Sequence, residues 1–136
     1  MITLWEEKAW GRTAPLITSL VFSKHKLQVV AGGYCSLHYH HYRSNRFIID
    51  TARLRIIMFR GLEVEKVDIG PGSVFDIPAM IPHLFCVYES GELFEEYYPE
   101  GGQTVKNNDI IRICQGGWMK TDLLNNLPKG LPIHPD

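Results

Sequence analysis

No long hydrophobic run occurs in this chain. The longest uninterrupted apolar stretches are only a few residues, as in Ile56-Ile57-Met58-Phe59, too short for a membrane-spanning helix. Neither charge sign dominates: 14 Lys and Arg face 15 Asp and Glu, a formal net charge of −1. That balance offers no electrostatic footprint for nucleic acid or an anionic membrane. Cysteine is scarce and odd in number, with Cys35, Cys86 and Cys114 far apart, which argues against a disulfide framework and for reduced thiols. The start, Met1-Ile2-Thr3-Leu4-Trp5-Glu6-Glu7-Lys8, lacks the charge-then-apolar order of a secretory leader. A cytoplasmic location is the resulting expectation. There is also no repeat, low-complexity tract or Pro/Gly linker that would divide the chain.

What is present is a globular composition, 45% hydrophobic and 21% charged over 136 residues. That length predicts a single domain over 1–136, able to bury roughly two-thirds of its unfolded surface. Short apolar or alternating runs between turn residues predict strands at Leu16–Phe22, Leu27–Ala31, Ser36–His40, Arg46–Asp50, Leu54–Phe59, Ser73–Ile77, Leu84–Tyr88, Leu93–Tyr97 and Ile110–Cys114. Gly32-Gly33, Gly70-Pro71-Gly72 and Ser90-Gly91 supply the turns. The class is all-β, a sandwich or closed barrel with its core at about 16–115. One short helix is expected at Met119–Asn126, inside a C-terminal tail, 116–136, whose prolines prevent regular pairing.

Histidine carries the chemical signal. On a strand, His38 and His40 project from one face and His41 from the other. A second segment, Gly72 to His83, reads as a strand, a proline-bounded turn and a histidine opening the next strand. Such a turn can return His83 to the first pair, and three imidazoles with open coordination positions are what a catalytic metal requires. Glu92, Phe94 and Glu96 share one face of the last long strand and Glu95 lies on the other; a glutamate entering the barrel could serve as a base. Arg53 and Arg55 alternate with Leu54 and Ile56, so one face could hold a phosphate. Tyr97-Tyr98-Pro99 and Trp118 read as apolar anchors, and His25 and His134 as surface residues.

These residues together resemble the cupin superfamily. The first cupin motif, a glycine followed by His-x-His and a glutamate, corresponds to Gly32 or Gly33 with His38 and His40. The second corresponds to Gly72, Pro78, Met80 where the pattern has glycine, His83, and Val87 where it has asparagine. Within the superfamily the chain is most similar to the cupin domain of type II mannose-6-phosphate isomerases, those linked to a GDP-mannose pyrophosphorylase. The shared residues are Trp10-Gly11, Lys26 to Val30, Ser36-Leu37, His40-His41-x-Arg43-Ser44, Thr51-Ala52 and Ile77-Pro78-Ala79 with His83.

The resemblance implies a double-stranded β-helix, or jelly-roll barrel, usually a homodimer. It also implies one divalent metal (Zn, Fe, Mn or Ni) held by His38, His40 and His83. Asn45 stands where the family's metal-binding glutamate lies, which lowers the charge offered to a cation. The implied activity is aldose–ketose isomerisation of a sugar or sugar phosphate; the strand-face reading nominates Glu96 or Glu95 to move the proton and Arg53 and Arg55 to hold the substrate. Two other readings fit the same fold: a non-haem iron dioxygenase, and a non-catalytic carbohydrate-binding or sensor module. The expected partner is a small-molecule, carbohydrate-like ligand, with neither nucleic acid nor membrane.

Overall fold

The computed structural model describes residues 4–106 and 108–118; the expected helix at 119–126 and most of the tail lie outside them. The described residues form thirteen strands and no helix. In chain order these are β1 (Glu6–Lys8), β2 (Gly11–Thr18), β3 (Ser23–Val29), β4 (Gly33–Tyr34), β5 (Leu37–Tyr39), β6 (Arg43–Ile49) and β7 (Arg53–Arg60). They continue with β8 (Glu63–Ile69), β9 (Val74–Ile77), β10 (His83–Glu89), β11 (Gly91–Pro99), β12 (Ile111–Cys114) and β13 (Gly117–Trp118). One sheet runs β1-β2-β3-β11-β6-β9. In the other, β10 is the hub, pairing with β4 and β5 along one edge and with β7 along the other, and β7 continues to β8. All pairings are antiparallel, and the sheets enclose one core around Leu27, Tyr34, Phe47, Ile56, Ile57, Leu84, Val87 and Leu93. No described helix is long and apolar enough to cross a membrane.

Alternation decides what faces inward. Along β6, Arg43, Asn45, Phe47 and Ile49 are buried while Ser44, Arg46 and Ile48 are only partly covered. Strand β10 departs from alternation, with His83 through Val87 all buried, so both of its faces are covered over that stretch. Two predicted elements shift for physical reasons. The apolar run Leu16–Phe22 reads as a strand, yet β2 ends at Thr18 and the chain reverses there. Ser19 closes that turn, its N–H donating to the Phe22 carbonyl (2.9 Å) and its Oγ accepting from the Phe22 N–H (3.1 Å). Glu63–Ile69 was not expected as a strand, because its alternate positions are charged. It is the outermost strand of its sheet, where charge faces water.

The turn before β10 positions the rest. Met80 has φ +71°, the left-handed region that glycine occupies without penalty. It is the position where the resembled motif carries glycine. Its N–H donates to the His40 carbonyl at 2.7 Å, tying the turn that delivers His83 to the strand that delivers His40. Because the Met80 side chain is exposed, its Cβ strain has little packing to offset it. Met80→Gly should stabilise the protein by about 0.5 kcal/mol, and Met80→Val should destabilise it by about 1 kcal/mol or more. Thermal denaturation measures both, and equal melting temperatures for all three proteins would exclude strain at this residue.

Candidate metal centre

Three histidines from three parts of the chain meet at one point. His38 on β5 is the direct cross-strand partner of His83 at the start of β10. Such pairs hold Cβ atoms about 5 Å apart, and the two ring centroids lie 4.5 Å apart. His40 follows one residue after β5, and its ring lies 5.0 Å from that of His38 and 5.5 Å from that of His83. One nitrogen from each ring falls within 4.8 Å of the other two. All three residues are buried.

Each ring is oriented by its far nitrogen. The His38 Nδ1 lies 2.7 Å from the Ser36 carbonyl, the His40 Nδ1 2.7 Å from the Asp109 carbonyl, and the His83 Nδ1 2.8 Å from the Ile81 carbonyl. A carbonyl only accepts, so each Nδ1 carries the proton and each Nε2 presents a lone pair. The Nε2 atoms of His40 and His83 are buried with no partner. Unsatisfied buried acceptors are costly, and a cation is the group that suits them. Burial, with His83 and His40 nearby, holds the pKa of His38 well below the usual imidazole value. Burial and the Arg43 guanidinium bring His40 down to about 3, and burial brings His83 to about 4. At neutral pH all three are neutral ligands. Three imidazoles fit a divalent transition metal such as Zn, Fe or Ni.

A cavity of about 570 Å³ opens beside this group, within the size range of small-molecule sites. Its wall includes His38, Arg43, Glu95, Tyr97, His25 and Arg112. Glu95 faces inward from β11, where its carboxylate accepts a hydrogen bond from Asn45 Nδ2 (2.9 Å) and another from the Tyr97 hydroxyl. Burial nonetheless raises its pKa. Asn45 thus engages Glu95 through its amide nitrogen, while its Oδ1 is buried without a partner.

The nominated residues therefore separate. Glu95 lines the cavity, whereas Glu96 points from the opposite face of β11, its carboxylate pairing with Lys24 at 3.3 Å and accepting from Tyr98. Neither Arg53 nor Arg55 is among the cavity-lining residues. Strand parity turns Leu54 and Ile56 into the core, so Arg55 forks onto Asp68 (2.7 and 3.1 Å) and Arg53 pairs with Glu89 (3.3 Å). His25, expected on the surface, faces the cavity instead, opposite Glu95 in the β3–β11 ladder.

Two residues that position the site had drawn no functional reading. Asp109 supplies the carbonyl that orients His40, and its carboxylate accepts from the His41 and Tyr42 N–H groups, both at 2.9 Å. It is remote in sequence, and nothing local marks it. Arg43 is buried at 4% exposure with its guanidinium 3.8 Å from the centre of the Tyr97 ring. Its signal was available: it shares strand parity with Phe47 and Ile49.

No protein-family model and no curated protein matches the sequence. Among solved structures, the chain resembles oxalate decarboxylase from Bacillus subtilis at pH 4.6, with 17% identity, a TM-score of 0.67, and 82% of this chain against 30% of that one. A tryptophan-to-tyrosine variant of the same enzyme matches at 18% identity and TM-score 0.67, covering 82% and 30%. A third, used to assign the Mn(II) centres of that enzyme, matches at 15% identity and TM-score 0.67, covering 81% and 30%. The chain spans under a third of those proteins. The likeness shows the fold alone, an all-β jelly-roll barrel.

Two outcomes follow from the geometry. In chelator-treated protein, the depressed histidines give a stability that is full above pH 6.5 and falls as pH drops toward 4. There the unfolded chain takes up protons that the folded one refuses, at up to about 1.4 kcal/mol per pH unit for each histidine. Chemical denaturation between pH 7 and 4 measures this. His38→Ala and His83→Ala should each lose most bound metal by elemental analysis; full metal content in both would refute the centre.

Proposed function

We propose that this chain is a small metal-dependent cupin acting on a sugar or sugar phosphate by isomerase-type proton transfer. The observation that carries this reading is an inward-facing acid–base group, Glu95, lining one cavity with His38 of the three-histidine group. His38, His40 and His83 would hold the ion. A divalent ion there supplies Lewis acidity, polarising a substrate carbonyl or hydroxyl oxygen.

The protein's own residues would do the rest. Glu95, with its pKa raised by burial toward working pH, takes a proton from the carbon beside the carbonyl and returns it to the neighbouring carbon. Asn45 and Tyr97 hold that carboxylate in place with one hydrogen bond each. Phe47, Phe85 and Trp10 form an apolar part of the wall of that cavity. The cytoplasmic, homodimeric state expected of such a domain belongs to the same proposal. Oxalate decarboxylase, at this low identity and over so small a share of its length, lends the fold and not the reaction.

A second reading is favoured by Asn45, a neutral amide where the resembled isomerases carry a glutamate. In that reading the barrel is a carbohydrate-binding or sensor module without turnover. Glu95→Gln separates the two. As an isomerase the variant should keep its metal content while losing about 10²- to 10⁴-fold in turnover of an aldose phosphate. Absence of turnover in the metal-loaded wild type across aldoses and their phosphates, with ligand-induced thermal stabilisation retained, would select the binding module.

A further inference from the structure

Moving a carbonyl to the neighbouring carbon takes two proton transfers, one between the carbons and one between their oxygens. Glu95 accounts for the first. The second needs another group that takes and gives a proton near neutral pH. In β3, His25 shares the inward parity of the buried Leu27 and Val29. It stands directly opposite Glu95 in the β3–β11 ladder, where paired side chains rise from one face about 5 Å apart, and both residues line the cavity. The His25 ring is half-buried and meets the Tyr97 ring edge-on, with centroids 5.9 Å apart. Unlike the three clustered histidines, it has no hydrogen-bond partner on either nitrogen among the described residues.

The groups around His25 do not compete for this role. Pro15, its partner on β2, has no proton to exchange, and Arg43 and Arg112 are permanent cations on the cavity wall. Glu6 and Lys8 pair with each other at 2.9 Å. Burial pushes the Cys35 thiol and the Tyr97 phenol well above their usual values. Burial and then the Arg43 guanidinium lower the pKa of His25, with Glu6 opposing. At neutral pH the ring is therefore a neutral imidazole, with one donor and one acceptor nitrogen.

We propose that His25 is a second catalytic group of this site, carrying the proton between the two oxygens while Glu95 carries the one between the two carbons. The proposal rests on the isomerase reading. Glu95 takes the C2 proton as the C1–C2 double bond forms and the carbonyl electrons move onto O1. His25 accepts the O2 proton and gives one to O1. The electrons left on O2 close the C2 carbonyl as C1 takes the proton from Glu95. Both residues end as they began, and no oxidant or co-reactant is consumed.

The test follows D-mannose 6-phosphate and D-glucose 6-phosphate by proton NMR in D2O with the full chain loaded with Zn(II). Loss of the C2 proton to solvent and formation of the ketose are read separately. His25→Gln should keep its metal and exchange the C2 proton close to the wild-type rate, while ketose formation falls about 10²- to 10³-fold. Should that variant fail to fold, His25→Asn gives the same comparison. Unchanged ketose formation would overturn the role of His25 and leave the isomerase reading standing. A parallel fall in exchange and ketose formation, with metal retained, would also overturn it, because His25 would then act through Glu95. Wild-type protein that neither exchanges nor isomerises either sugar would overturn the isomerase reading and the role of His25 with it.

Discussion

Three hydrogen bonds, each from an imidazole Nδ1 to a backbone carbonyl, are the constraint on which the chemistry of this molecule depends. They fix the tautomer, aim the lone pairs inward, and do so from backbone atoms in the short segments that lead into β5, β10 and β12. Without the carbonyls the rings would be free to rotate; the neutral form itself is kept by burial, which outweighs the pull of those carbonyls toward protonation. The barrel's architecture can be understood as the device that places Ser36, Ile81 and Asp109 behind the three rings. Strand β10 does most of this, because it pairs with β5 along one edge and with β7 along the other. His83 is thereby fixed between His38 and Met58 in a single register.

Much of this was legible in the residues. The pairing of His-x-His with a later proline-bounded turn led to the three-histidine group, because strand parity and a tight reversal leave few other places for His83. Turn chemistry located most strands, and the all-β class followed from their spacing. What escaped did so for identifiable reasons. Glu63–Ile69 hides as a strand because an edge strand carries charge. His25, between two lysines, looks solvated, yet in β3 alternation sends Lys24 and Lys26 one way and His25 the other. Asp109 acts through a main-chain carbonyl, which no side-chain pattern can advertise. Arg53 and Arg55 misled because alternation identifies two faces without saying which is inside; the neighbouring Leu54 and Ile56 had already answered that.

The glycine position of the second motif shows how a departure can be absorbed. Methionine at position 80 accepts a left-handed backbone because the turn is held from both sides, by proline at 78 and 82 and by the hydrogen bond to the His40 carbonyl. Local preference loses here to a tertiary bond that also serves the site. The cost is confined to an exposed side chain, where it disturbs no packing.

Asn45 is a deeper departure, and its neighbours explain why it need not empty the site of negative charge. In the β6–β11 ladder Asn45 lies opposite Tyr97, and Glu95 stands two residues away on the same inward face, receiving the Asn45 amide hydrogen bond. A carboxylate therefore still faces the cavity, but from the adjoining strand and clamped by an amide and a phenol. Moving the charge there changes its duty. A carboxylate bound directly to a dication is locked in its ionised form, whereas one held at a distance by neutral donors, with its pKa raised by burial, remains free to exchange a proton. The substitution that weakens the ligand set is thus compatible with a stronger acid–base group, and three neutral imidazoles beside one such group leave the remaining charge to be balanced by whatever enters the cavity.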